Sequence, residues 1–274
     1  MKTRTFPENN YKAIFTPSGK TLRIPLDSGK PVTAPKFKEF YDIKLTDYCT
    51  GNCPYCYMDS TKKGKHAKNA EMKVFSIFGR MSENERPFQV AIGGGEPTKH
   101  PKFYQVLRAF HALGIMPNIT TNGMWGIIPD GIEQYCGGVA VSAHKHLEHF
   151  WTRAVERLLA AGIKTNIHVV ISDMDSVDYL IKWRKQYPVD YWVLLPYGAQ
   201  GRAEEKAIDW EYLDNNVDLS ASDIAYGAGF YPYLKDRPDL DVSLYEPEMF
   251  SAYIDLVTMT QYPSSFNLDH GRNI

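Results

Sequence analysis

The chain has four cysteines, and three of them, Cys49, Cys53 and Cys56, fall within eight positions. Thiolates at C-x3-C-x2-C spacing on one short segment can fold around a single cube of iron and sulfide, a [4Fe–4S] cluster, each taking one iron. The fourth iron is then left without a protein ligand. An open metal position is where a small molecule coordinates, the same distinction that separates catalytic from structural zinc sites. A zinc site at the three thiols, with His66 as fourth ligand, is the competing reading, although closed zinc sites usually pair two short motifs. The fourth thiol, Cys136, stands alone as a small apolar filler. A disulfide framework would spread the cysteines out. A tight cluster belongs instead to a reducing, cytoplasmic compartment.

A second group of residues is Gly93-Gly94-Gly95-Glu96-Pro97. Three glycines let the backbone approach a neighbour closely and turn N–H and C=O groups toward it. Taken alone, a tight strand-to-helix turn is the commoner explanation of such a run. Past the cysteines, Lys62, Lys63, Lys65, His66 and Lys68 form a basic stretch, either a solvated mobile loop or a docking patch for an acidic flavodoxin- or ferredoxin-like electron donor.

These residues need a scaffold, and the pattern supplies one. Strands are expected at Tyr41–Leu45, Phe88–Ile92, Met116–Thr120, Gly138–Ser142, Thr165–Ile171 and Tyr191–Leu195, separated by amphipathic helical stretches. Val74, Ile77, Phe78 and Met81 share one helix face, as do Phe103, Val106, Leu107 and Phe110, with Gly114 ending the second stretch. Leu147, Phe150, Trp151, Ala154, Val155, Leu158 and Leu159 form the clearest stripe, closed by Gly162; Val177, Leu180 and Ile181 begin a further helix that stops before Pro188. Alternating strand and helix gives right-handed crossovers and a parallel sheet. Six strands are too few for a closed eight-stranded barrel, so the expected α/β fold is a partial (β/α)6 TIM-like barrel. Residues 1–36 read as an N-terminal hairpin extension, with strands around Ala13–Phe15 and Thr21–Ile24. Residues 37–203 form the barrel. Residues 204–274 form a C-terminal helical and strand extension, with short strands at Val242–Tyr245 and Tyr262–Leu268. Both glycine and cysteine segments follow strands, on the barrel face that carries active sites.

Together the two motifs resemble the radical S-adenosylmethionine (radical SAM) superfamily: C-x3-C-x2-C with Tyr55 before the last cysteine, then Gly-Gly-Glu-Pro after the second strand. The resemblance covers roughly residues 40 to 203. It implies that Cys49, Cys53 and Cys56 ligate three irons of one [4Fe–4S] cluster. It implies that S-adenosyl-L-methionine (SAM) coordinates the open iron, with Gly94, Gly95 and Glu96 at its amino group and Tyr55 near its adenine. Thr121-Asn122-Gly123 resembles a Thr-Asn-Gly common at the third strand's end. Ser142 and His144 end the fourth strand, where members contact the ribose or carboxylate. An Asp often stands where this chain has His144. Asn166 and His168 share a face of the fifth strand. Leu194 to Ala203 resembles the Pro-x-Gly-Arg-type ending of peptide-modifying and cofactor-making members, with Leu195 near the adenine and Arg202 free to pair with a carboxylate. The implied activity is reductive cleavage of SAM to a 5′-deoxyadenosyl radical that takes a hydrogen atom from a substrate. The substrate stays open between a peptide, a nucleoside or base, and a small metabolite.

Composition excludes some classes. Thirty-one Lys and Arg face thirty-two Asp and Glu, a net charge of −1, which gives no support for strong nucleic-acid binding. No run is long and apolar enough to span a membrane, and residues 1–10 carry no signal-peptide core. Two further readings compete with the radical enzyme: a zinc-dependent enzyme at the same thiols, and a non-catalytic iron–sulfur sensor.

Overall fold

The computed structural model describes residues 1–125, 131–237, 240 and 248–274. Its smaller sheet is an antiparallel meander of β1 (Lys2–Phe6), β2 (Tyr11–Phe15) and β3 (Thr21–Pro25). The sequence showed the β2–β3 hairpin and missed β1, whose residues carry no apolar alternation and stay largely exposed. On β2, Tyr11, Ala13 and Phe15 turn inward and pack with Phe88 and Phe250. Arg23 on β3 donates to Oε2 of buried Glu39 at 3.0 and 2.7 Å, pinning the meander to the segment that enters the main sheet.

At the centre of the large sheet six parallel strands lie in sequence order: β4 (Phe40–Thr46), β5 (Gln89–Gly94), β6 (Met116–Thr121), β7 (Val139–Ser142), β8 (Thr165–Ile171) and β9 (Tyr191–Pro196). These are the six expected strands, within a residue or two at each end. The C-terminal region extends the sheet at both edges. β10 (Ile224–Tyr226) joins β9 in parallel, and β11 (Ser251–Asp255) joins β4 in parallel. β12 (Thr260–Tyr262) and β13 (Arg272–Asn273) follow antiparallel. The outermost strands, β10 and β13, are not neighbours, so the barrel stays open.

The strand expected over Tyr262–Leu268 is a correction. Only Tyr262 lies in a strand, because Pro263 offers no N–H to continue the ladder and the chain then turns through a bridge between Ser264 and Asn267. The Val242–Tyr245 expectation lies outside the described residues.

Helices α1 (Ala70–Phe78), α2 (Phe103–Ala112), α3 (Glu148–Ala160) and α4 (Met174–Arg184) cover the outer face, and the shorter α5 (Trp210–Asn216) and α6 (Tyr231–Leu234) follow β9. Met81 was expected on the α1 stripe but lies beyond Gly79, where the helix stops. Gly114 and Gly162 turn the chain with φ of +71° and +66° after α2 and α3. Between β6 and β7 the only helical turn among the described residues is Ile132–Gln134. No helix among the described residues is long and apolar enough to cross a membrane.

Period-two alternation decides what faces the barrel. Tyr41, Ile43 and Leu45 are buried in the core beneath the helices, and the Tyr41 ring meets Phe78 of α1 at 5.4 Å. Asp42, Lys44 and Thr46 therefore face the concave side. By the same rule Asn118 and Thr120, Ser142, Asn166 and His168, and Val193 and Leu195 point inward. The barrel wall is thus largely polar, and the site lies where its strands end.

Candidate functional site

The loop after β4 carries the three cysteines, and main-chain bonds hold it from three sides. Asp47 N–H donates to Lys65 O at 2.8 Å and Cys49 N–H to Thr61 O at 2.9 Å. From the loop after β5, Gly95 N–H donates to Thr46 O at 2.6 Å and Glu96 N–H to Tyr48 O at 2.8 Å. From the loop after β9, Arg202 N–H donates to Cys56 O at 3.2 Å. Each of these three neighbours brings a glycine into backbone contact. A Cβ on Gly64 would lie 2.1 Å from Asp47 O, one on Gly95 2.2 Å from Tyr48 O, and one on Gly201 2.5 Å from Tyr57 O. No side chain fits at such separations. Gly95 therefore makes room for the cysteine loop itself. The basic stretch packs on the same loop. Lys62, Lys63, Lys65 and Lys68 are exposed, but the main chain beneath them is bonded to the cysteine loop, so it is not a free loop.

Arg202 completes the clasp. Its Nε donates to Cys53 O at 2.7 Å, Nη2 to Ser60 O at 2.9 Å and Nη1 to Asp59 Oδ1 at 2.8 Å. The guanidinium thus binds the chain's own loop at three points; it pairs with a carboxylate, that of Asp59, through one nitrogen rather than as a two-pronged fork. Replacing Arg202 by Lys keeps the charge but leaves one compact donor group for three divergent acceptors. We expect Arg202→Lys to destabilise the fold by about 1–3 kcal/mol and to shorten the time for which iron is retained. Thermal unfolding and iron release to a chelator would show it; a variant indistinguishable from wild type in both would remove Arg202 from this role.

The sulfurs sit in a polar cradle. Cys49 and Cys53 are buried and Cys56 is partly exposed. Cys49 Sγ accepts from Gly51 N–H at 3.3 Å and from Asn122 Nδ2 at 3.4 Å. Burial raises the Cys49 thiol and pushes Cys53 up to about 12. Such thiols keep their protons until a metal supplies the compensating charge, and N–H···S donors suit a sulfur that is then a thiolate. The donor set therefore fits an iron–sulfur cluster. Among the described residues no three His, Cys, Asp or Glu side chains gather as they would around a single metal ion. His66 is held instead by Thr46, whose Oγ1 lies 2.8 Å from its Nδ1.

Glu96 is fully buried and joins β5 to the end of β6. Its Oε1 accepts from Thr98 Oγ1 at 2.6 Å and from Thr121 Oγ1 at 2.9 Å, and its Oε2 from Asn122 N–H at 2.9 Å. Glu96 thereby places Asn122, whose amide reaches Cys49. Tyr55 OH lies 3.0 Å from His144 Nδ1, and His146 Nε2 lies 3.1 Å from Gly51 O. Burial, with His146 and His168 nearby, lowers His144 to about 4, and burial does the same to His168. Both rings are neutral near pH 7. Ser142 and His168 are register partners on β7 and β8. Leu195 lies beside Gly227, past β10.

Cys136 lies at the other end of the barrel. Its neighbour Gly137 bonds Pro117 O at the start of β6, whereas Cys49 meets Asn122 just past the end of that strand. The rise along β6 separates them by roughly 15 Å. Cys136 is partly buried against the main core, and burial pushes its thiol up to about 11.

A cavity of about 720 Å³ opens beside Tyr55 and His146, between Val169, Tyr179 and Tyr197, within the size range of small-molecule sites. Sequence reading missed His146, Thr46 and Gly64. Gly64 carried no signal of its own, because its partners are main-chain atoms far along the chain.

The family described as the Radical SAM superfamily matches residues 43–182, and the chain belongs to it. No curated protein matches the chain in sequence. Among solved structures, Streptococcus suis SuiB bound to precursor peptide SuiA superposes with a TM-score of 0.65 at 18% identity, over 84% of this chain and 60% of SuiB. SuiB bound to S-adenosylmethionine gives 0.64 at 18% identity, over 86% of this chain and 63% of SuiB. The native anSMEcpe structure with AdoMet and the Cp18Cys peptide gives 0.59 at 15% identity, over 84% and 74% of the two chains. At these identities the likeness is one of fold, and this chain spans about three fifths of SuiB.

Proposed function

We propose that Cys49, Cys53 and Cys56 hold one [4Fe–4S] cluster with SAM beside it, and that the enzyme starts a radical reaction on its substrate. The carrying observation is the loop itself: three thiols on one turn of chain, clasped by Gly64, Gly95 and Gly201 and supplied with two N–H donors at Cys49. When bound, the cluster supplies the electron that cleaves SAM to methionine and a 5′-deoxyadenosyl radical, which takes a hydrogen atom from the substrate. The chain's own part is binding and orientation. Gly94–Glu96 border the cysteine loop where the methionine end would lie. Tyr55, fixed by His144, offers a ring to the adenine at the cavity mouth. Ser142, His144 and His168, neutral and inward-facing, suit the uncharged ribose hydroxyls.

SuiB and anSMEcpe were solved with peptides, which favours a peptide substrate here over a nucleoside or a small metabolite. Four exposed lysines over the cysteine loop favour an acidic flavodoxin- or ferredoxin-like donor by charge steering.

The testing experiment is anaerobic reconstitution followed by iron and sulfide quantification, EPR of the reduced protein and a SAM-cleavage assay. The expected result is about four irons per chain with 5′-deoxyadenosine released. Cys136→Ala should leave both spectrum and iron count unchanged. Zinc retained in place of iron, or no cleavage with any reductant, would defeat the reading; loss of signal in Cys136→Ala would defeat the assignment of ligands.

A further inference from the structure

The N-terminal meander has two open edges, and only one of them is guarded. Its strand order is β1-β2-β3, so among the described residues β1 and β3 each pair on one side alone. An open strand edge is a template for pairing with another chain, and edges are usually blunted by lysines, a proline or a bulge. β1 follows that rule, with Lys2 and Arg4 among its five residues. β3 does not. Its register with β2 runs unbroken from Thr21 to Pro25, and its proline comes last. Its single charge, Arg23, turns inward to Glu39.

The outward face of β3 is aliphatic instead. Leu22 and Ile24, with Leu26 just past the strand, keep one side by period two, and they are 51%, 49% and 50% exposed. Ile14 of β2, the register partner of Leu22, widens the row. The aromatic residues Phe6, Tyr11 and Phe15 all belong to the inner face, packed around Phe88 and Phe250. A single exposed leucine is ordinary, whereas a contiguous aliphatic row along an unpaired edge marks an interaction surface.

Charge says what approaches it. Residues 1–36 hold seven Lys and Arg against Glu8 and Asp27, a net charge of +5 in a chain whose total is −1. Lys12 stands on the outward face itself, as register partner of Ile24. A second copy of the chain, pairing β3 with β3, would bring two such basic segments together and is disfavoured by their repulsion. A membrane surface would find no aromatic anchor, since the outward face carries Thr3, Thr5, Lys12, Ile14, Leu22 and Ile24.

We infer that β3 takes on a fourth strand: an extended acidic peptide segment with aliphatic side chains at alternate positions. Main-chain pairing supplies affinity, the row of Leu22 and Ile24 sets the register, and the basic surround selects for carboxylates. The meander packs where β4 and β5 begin, through Glu39 and Phe88, whereas the cysteine loop follows the end of β4. The inference is therefore independent of the reading of that loop.

The test is fluorescence anisotropy on the full chain with labelled, capped heptapeptides. The first alternates glutamate and valine. The second alternates lysine and valine. The third is the first with its main-chain nitrogens methylated, and the fourth has its glutamates and valines in separate blocks. The alternating acidic peptide should bind about tenfold or more tightly than each of the others, and added salt should weaken it. Ile24→Glu should lower its affinity about tenfold or more, by setting a like charge on the edge. Ile24→Thr, which suits a strand but removes apolar contact, should lower it about threefold. Thermal melts of the same samples check folding; should Ile24→Glu unfold the meander, Ile24→Thr and Leu22→Thr carry the comparison.

Equal binding of the methylated peptide would show that no strand is added, and unchanged binding in the Ile24 variants would place the peptide elsewhere. Either result overturns the inference. So would dimerisation that Ile24→Glu abolishes, with no peptide bound, which would give the face to a second copy. Binding to vesicles of phosphatidylserine and phosphatidylcholine, where the acidic peptide does not bind, would overturn it in favour of a membrane. SAM cleavage, measured alongside, should be the same in Ile24→Glu as in wild type. Its failure in wild type would sink the radical SAM reading and leave the peptide titration to decide this one.

Discussion

Cys53→Ala should abolish SAM cleavage, lowering 5′-deoxyadenosine release by about 10³-fold or more, while the cluster-free protein melts close to wild type. The two halves have separate causes. Cys53 is buried next to the loop main chain, and in the cluster-free state it is a protonated, apolar-like thiol. Trimming its sulfur removes a small buried volume at a loop, a cost of about 1 kcal/mol. For the cluster the change is different in kind, because two thiolates cannot hold a cube that needs three protein ligands and one open iron. Iron per chain should fall with the activity. If the variant keeps four irons and cleaves SAM, the cysteine assignment fails. If it does not fold without its cluster, the comparison moves to Cys53→Ser, which keeps the volume and loses the thiolate.

The fold was legible to the extent that its residues alternate. On β4, Tyr41, Ile43 and Leu45 against Asp42, Lys44 and Thr46 is a period-two pattern that both predicts the strand and turns three polar residues inward. The six central strands all show it or a continuous apolar run. β1 and β11 were missed for opposite reasons. Lys2–Phe6 has no apolar face to detect, whereas Ser251–Asp255 is buried through most of its length, with Ala252 and Ile254 on the core and, on the other face, Tyr253 beside Tyr262 and Asp255 paired with Lys44, and so shows no alternation of burial. The site divides in the same way. Three cysteines in eight positions announce themselves. The clasp around them does not, because it is built from glycines and an arginine that meet carbonyl groups, and a carbonyl is the same at every residue. Arg202 illustrates the limit: its charge was visible, but its acceptors are Cys53 O and Ser60 O, which no side-chain pattern encodes.

Gly95→Val is expected to cost about 3 kcal/mol or more in the cluster-free protein, and to prevent cluster assembly in what still folds. A Cβ there lies 2.2 Å from Tyr48 O and 2.7 Å from Tyr48 C, separations that no rotamer can relieve because both partners are main chain. Either the loop after β5 or the cysteine loop must move by an ångström or more. The bonds at stake are Gly95 N–H to Thr46 O and Glu96 N–H to Tyr48 O, which set the height of the cysteine loop over the sheet. Overpacking in a well-filled core costs about 1–3 kcal/mol, and a main-chain obstacle that also breaks two hydrogen bonds adds to it. Displacing the loop also carries Cys49 away from Asn122 Nδ2, so iron retention should fall with stability. Gly95→Ala, with the same Cβ and no branches, should already show most of the effect, since the clash begins at that atom. The measurements are thermal melts of the cluster-free variants and iron per chain after reconstitution. A valine variant with a normal melt and normal iron that fails only to bind SAM would show that Gly95 faces the ligand instead, and that the loop tolerates a side chain where the structure leaves no room for one.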